Sequence, residues 1–225
     1  MKLLCLLLCI GCILLSCSTL PNLQPADHSE RTELPQTCQR LFPNGKWQFV
    51  HSIEAVMPGG QRGLVMGATV ISSRNKSAQC VLMTIEGLVV FDARYDQELV
   101  IHRAVAPFDQ EGFAAGLISD IQLIFFMPQG PLVETGNDPN GASVCRYQTP
   151  DGGIVDLVID ADHTRHIRQY TAQRRLRRTV DAFFTKQETD SDGQKDFPYR
   201  LELTAHGVAG YTLVMDLVEA VPLTK

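Results

Sequence analysis

The thiol of Cys17 has the plainest chemistry in this 225-residue chain, standing behind Leu14-Leu15-Ser16 at the end of an apolar run from Leu3 to Leu15. A thiol is a nucleophile, and this one stands after a small residue at the exit of a secretory-type segment. The second concentration of reactive side chains is basic: Arg165, Arg168, Arg174, Arg175, Arg177 and Arg178, in a chain of formal net charge −5. Guanidinium meets carboxylate or phosphate through two parallel bonds. Arg174, Arg175, Arg177 and Arg178 are therefore candidates for binding anionic headgroups or an acidic partner; the competing reading is a charged edge strand that discourages edge-to-edge pairing. Asp160, Asp162, His163 and His166 are zinc-ligand types, but the same run reads as a polar hairpin turn, and no metal is expected. Asp190-Ser191-Asp192-Gly193 opens like a calcium loop, yet Gly falls at the fourth position and no Glu stands at the twelfth. Gly-x-Ser-x-Gly, His-Glu-x-x-His and a phosphate loop are all missing. Neither a catalytic group nor a cofactor is expected.

Lys2 precedes the apolar run, which is shorter than the roughly 20 residues a bilayer demands and has the length of a signal-peptide core. Leu14-Leu15-Ser16-Cys17 looks like the bacterial lipobox, which implies cleavage after Ser16 and a diacylglycerol anchor, with palmitate-type acylation, on Cys17. Several acyl chains hold a protein at a membrane without a spanning helix. Ser18 stands where an Asp would resemble an inner-membrane retention signal, so the expected address is the outer membrane, facing the periplasm. Of the seven cysteines, Cys5, Cys9 and Cys12 fall in the signal. Cys38, Cys80 and Cys145 remain, enough for one disulfide in an oxidising compartment, with the pairing left open. The acidic balance carries no nucleic-acid signature.

These groups must be positioned by a largely β chain. Residues 1–16 read as the signal, 17–42 as the lipidated cysteine and an extended tether containing Pro21, Pro25 and Pro35, and 43–225 as a single domain. From Lys46 the apolar period is two: Trp47, Phe49, His51, Ile53, Ala55 and Met57 share a face. Further strands are predicted at about 62–72, 78–85, 88–95, 98–104, 143–148, 154–160, 165–172, 174–184, 197–205 and 211–221, joined by short hairpin-type turns. One helix is predicted over about 110–126, with Asp109 as its N-cap and Pro128 beyond its end. Phe113, Leu117, Ile118, Ile121, Ile124 and Phe125 form one arc of it. The strand at 62–72 is apolar on both faces, and the helix is the natural cover for the second. The expected fold is mainly β: a curved antiparallel sheet forming an incomplete, half-open barrel with a helix against its concave face. Trp47, Phe91, Phe113, Leu117, Ile121, Ile124 and Phe125 are then either ordinary core or the wall of a hydrophobic-ligand site.

Gly116-Leu117-Ile118-Ser119-Asp120-Ile121-Gln122-Leu123-Ile124-Phe125-Phe126-Met127-Pro128 resembles the helix of a lipoprotein family related to the LolA/LolB carriers and often encoded beside aryl-polyene-type biosynthetic genes. The segment from Gly87 to Asp96 and the Gly-Tyr-x-Leu from Gly210 to Leu213 fit the same resemblance, which covers about residues 46–221. It implies an open β half-barrel with a helical lid that binds acyl or polyene-type chains, working with a periplasmic carrier protein. The projecting apolar loop tip of LolB is not identifiable in the sequence.

Overall fold

The computed structural model describes residues 20–25, 28–160, 164–184 and 197–223. Cys17, Asp162, His163 and 190–193 lie outside the described residues. In chain order the elements are β1 (Gln24–Pro25), α1 (His28–Gln39), β2 (Lys46–Val56), β3 (Arg62–Ser72), β4 (Ser77–Met83), β5 (Val89–Asp96), β6 (Glu98–Ala104), α2 (Phe113–Phe125), β7 (Leu132–Asn137), β8 (Ser143–Gln148), β9 (Ile154–Ile159), β10 (Arg165–Tyr170), β11 (Leu176–Phe183), β12 (Arg200–Ala205) and β13 (Tyr211–Pro222). The strands form one 13-stranded sheet in the order β1-β7-β8-β9-β10-β11-β12-β13-β2-β3-β4-β5-β6. Every pairing is antiparallel. The sheet has two edges, β1 and β6, so it is a curved, unclosed barrel, as the sequence predicts.

Its curvature has local causes. Register shifts break the ladders between Leu217 and Glu219, Leu82 and Met83, Asp92 and Ala93, Gln169 and Tyr170, and Leu132 and Glu134. Each such bulge bends its strand and increases the local twist. The concavity that results is filled from both ends. Residues of α2 pack on Phe49, Ile71, Cys80, Leu82 and Phe91 of β2 to β5, while its Leu123 and Ile124 also reach the cluster of Val180, Leu201, Leu203 and Met215 across the sheet. Burying such apolar groups contributes roughly 1.5–3 kcal/mol per side chain.

Four expectations need correction. The tether expected to be extended contains α1, with Leu34 and Cys38 buried against Cys145, Tyr147 and Leu157 of the sheet. The stretch is held against the sheet by a disulfide, Cys38 to Cys145, across a separation of 107 residues, which no local period reveals. The N-cap of α2 is Gly112 at φ 80°, not Asp109, a left-handed position that glycine adopts without a Cβ penalty. The helix covers the Thr69 and Ile71 face of β3; Leu64 on the other face is 54% exposed. Finally β7 lies in the Gly-, Pro- and Asn-containing passage between the predicted helix and the strand predicted at 143–148, where no strand is predicted, its turn into β8 built by Asp138, whose carboxylate accepts from the backbone of Asn140 and Ala142.

The convex face of β8 and β9 is buried too. Leu23 packs on Val144 and Val158. Arg146 donates two bonds to Asp156 at 2.8 and 2.9 Å, one to Glu134 at 2.8 Å and one to the carbonyl of Pro21 at 2.9 Å. A Cβ at Gly136 would stand 2.3 Å from the Gln24 carbonyl oxygen, so glycine there is what lets β1 approach β7.

Candidate hydrophobic site on the concave face

Two neighbouring spaces open beside the C-terminal end of α2. A cleft of about 870 Å³ lies between α1 and α2, floored by Phe42, Pro43, Phe125, Phe126 and Met127, with Gln36, Gln39, Arg40, Asn44, Ser73 and Lys76 around it. A small void of about 60 Å³ lies behind it, walled by Leu41, Ile124, Val180, Ala182, Phe184, Phe197 and Leu201 among others, with Arg165 and His166 at one side. Phe42, Pro43 and Phe125 line both, so their rings stand between the wide cleft and the smaller void.

The chain builds this place from its connectors. The segment after α1 turns back at Asn44 and Gly45, where Ser73 Oγ accepts from the Gly45 amide at 2.8 Å and the Trp47 indole donates to the Asn44 carbonyl at 2.9 Å. That turn presents Phe42 and Pro43, both buried, to α2. On the other side α2 ends at Phe125, and Phe126 turns extended at φ −119°, aiming Met127 and Pro128 off the helix axis. Phe125 is held by stacking on Phe49, centroids 4.8 Å apart.

Of the seven residues expected to meet a ligand, Ile124 and Phe125 line these spaces. Phe91, fully buried, takes the edge of Phe113 at 5.3 Å, and Ile121 and Leu117 lie in the same packed cluster of β2 to β5. Trp47 packs edge-on against Phe197 at 4.7 Å, near the mouth of the void. Phe42, Phe126 and Met127 were not anticipated, because they sit in connectors that carry no period.

The basic cluster disperses. Arg178 is buried and pairs with Asp120 of α2 at 2.6 Å, with Gln169 at 3.3 Å, so it is withdrawn from any headgroup. Tyr211 also donates to Asp120. Burial raises the Asp120 carboxyl above its ordinary range, and Arg178 and Tyr211 pull against that rise. Arg178 Nε and Asp120 Oδ1 face each other as a buried ion pair without hydrogen-bond geometry, and with the Tyr211 bond to the other carboxylate oxygen they pin α2 to the sheet. Arg168 pairs with Asp138 at 3.6 Å and Arg165 lies over the Phe184 ring at 4.2 Å. Arg174, at φ 62° in the turn before β11, and Arg175 and Arg177 are exposed. The edge-strand alternative is set aside, because β11 is paired on both sides.

Both ring nitrogens of His166 are engaged by carboxylates, Asp181 at 2.6 Å and Asp160 at 2.9 Å, and these bonds, Asp181 first, raise its pKa against burial. No group of metal-binding side chains occurs among the described residues. Cys80 is a buried free thiol whose pKa burial pushes up to about 12, so it stays protonated and unreactive. The turn from β4 to β5 carries Ile85, 67% exposed, and Leu88, 59% exposed, an apolar tip that the sequence alone did not disclose.

No family model and no curated protein sequence matches the chain. Among the solved structures that resemble its fold are an outer membrane lipoprotein-sorting protein domain from Vibrio parahaemolyticus, 11% identical with a TM-score of 0.48 over 85% of this chain and 92% of that one, and, second, a protein from Nitrosomonas europaea, 12% identical with a TM-score of 0.48 over 87% of this chain and 94% of that one. The second bears the LolA superfamily name, and it is to proteins so named that this chain is similar in structure.

Proposed function

We propose that the protein is an outer-membrane lipoprotein, anchored through Cys17 and facing the periplasm, that binds an acyl or polyene-type chain and assists its transfer or placement at the membrane. The observation that carries this reading is the cleft between α1 and α2, about 870 Å³ with an aromatic floor, within the range of 300–1,000 Å³ usual for small-molecule sites. The void beyond Phe42 and Phe125 gives the end of a chain an apolar place to enter if those rings turn. Ile85 and Leu88 offer an apolar contact to a bilayer or to a carrier protein.

A second reading, a non-catalytic scaffold with a filled core, is favoured by the packing of Phe91, Phe113 and Ile121 and by the small size of the void. Met127→Trp separates the two. In an open cleft the larger ring fits without the roughly 1–3 kcal/mol that overpacking a closed core costs. Titration with a fluorescent fatty acid is expected to show at least a tenfold loss of affinity with little change in melting temperature. Unchanged binding would take the chain out of the cleft, and no binding by the wild type would leave the scaffold.

A further inference from the structure

The rim of the cleft is charged in one sense only. Arg40 follows α1 and Lys76 stands in the turn between β3 and β4, so the two cations face the opening from opposite elements. No carboxylate is among the described residues that line it, in a chain of net charge −5. Neither cation pairs with a carboxylate among the described residues. Around them stand only neutral hydrogen-bonding groups, Gln36, Gln39, Asn44 and Ser73, and beneath them the apolar floor of Phe42, Phe125, Phe126 and Met127.

From this juxtaposition we infer that the cleft takes a single-chain amphiphile with a carboxylate head, the head held between Arg40 and Lys76 and the tail laid along Phe125 and Phe126 toward Phe42. The inference rests on the chain-binding reading above and adds the chemistry of the head. The guanidinium matches a carboxylate with two parallel bonds, and the ammonium supplies a second, non-directional attraction. One tail fits the strip of aromatic floor, and the small space beyond it, about 60 Å³, has room for no more than the end of one tail. The headgroup role expected of Arg174, Arg175, Arg177 and Arg178 passes to these two residues. The sequence did not single them out because they are far apart in the chain, each among polar neighbours.

The test uses the full chain in a neutral detergent, with a photoreactive fatty acid and its methyl ester as probes and labelled peptides containing Phe42 or Met127 as the readout. In Arg40→Gln/Lys76→Gln the acid concentration for half-maximal labelling is expected to rise about tenfold, the scale of two exposed charge contacts. Labelling by the ester is expected to stay the same, and Arg174→Gln/Arg175→Gln/Arg177→Gln to change neither. Circular dichroism melting of each variant confirms that it is folded. If acid and ester label the wild type equally and the double variant changes nothing, the headgroup assignment is overturned and the chain site stands. Displacement of the acid by inorganic phosphate would overturn it as well, showing a site for free anions. No labelling of the cleft by either probe would overturn the proposed function itself.

Discussion

His51 lies on the concave face of β2, 5% exposed, with Phe49 and Phe125 about 6 Å away. Burial lowers its pKa from 6.5 to about 4, and Asp216 opposes this only in part. The sign of the consequence is definite. Between pH 6.5 and 4 the unfolded chain binds a proton that the folded chain refuses, so stability is complete above pH 6.5 and falls as the solution is acidified. The full shift corresponds to about 3 kcal/mol. His51→Leu is therefore expected to narrow the difference between urea midpoints at pH 7.5 and 4.5 relative to wild type, and an identical difference in the two proteins would remove His51 as the cause. His166 acts in the opposite sense. Its raised pKa contributes stability that is present in acid and lost as pH rises past its folded value, so it offsets part of the His51 effect.

At the scale of elements, α1 is the piece most dependent on one bond. Its described side chains bury Leu34 and Cys38, with Pro35 between them interrupting the helical hydrogen bonding. The disulfide to Cys145 closes a loop of 107 residues, for which chain-entropy reasoning gives about 2–5 kcal/mol. Cys38→Ala/Cys145→Ala is expected to lose that much stability, and amide exchange in α1 to accelerate well before exchange in β2 to β5. Equal exchange in both proteins would show that packing alone holds the helix. This dependence also explains what was legible. Strands with alternating burial, such as Phe49 and His51 in β2 or Leu201 and Leu203 in β12, could be read directly from their period of two. So could α2, where among its residues only Ala115 is exposed. Neither α1 nor β7 has such a period: a distant cysteine holds the first in place, and pairing to β8 positions the second. The floor of the cleft was hidden for the same reason, since Phe42 and Met127 are brought together only by the tertiary fold.

Over the whole molecule, the C-terminal β13 pairs with β2 along ten residue pairs from Thr212 to Pro222, joining the half of the sheet that carries α2 to the half that carries α1. Each helix fills the end of the concavity in front of it, and the cleft is what remains between them. The other end of the chain is fixed as well, because Arg146 binds the Pro21 carbonyl on the convex face. Cys17 precedes Pro21 by four residues, so an anchor there would hold the domain within about 14 Å of the membrane, far closer than a tether reaching to residue 42 would. The carrier proposed above takes up one chain. Native mass spectrometry of the full chain, extracted from membranes in a neutral detergent and offered a long-chain fatty acid, tests this directly. One added chain per protein is expected, reduced in Met127→Trp. A spectrum showing the protein mass alone, with no adduct at any concentration offered, would contradict it.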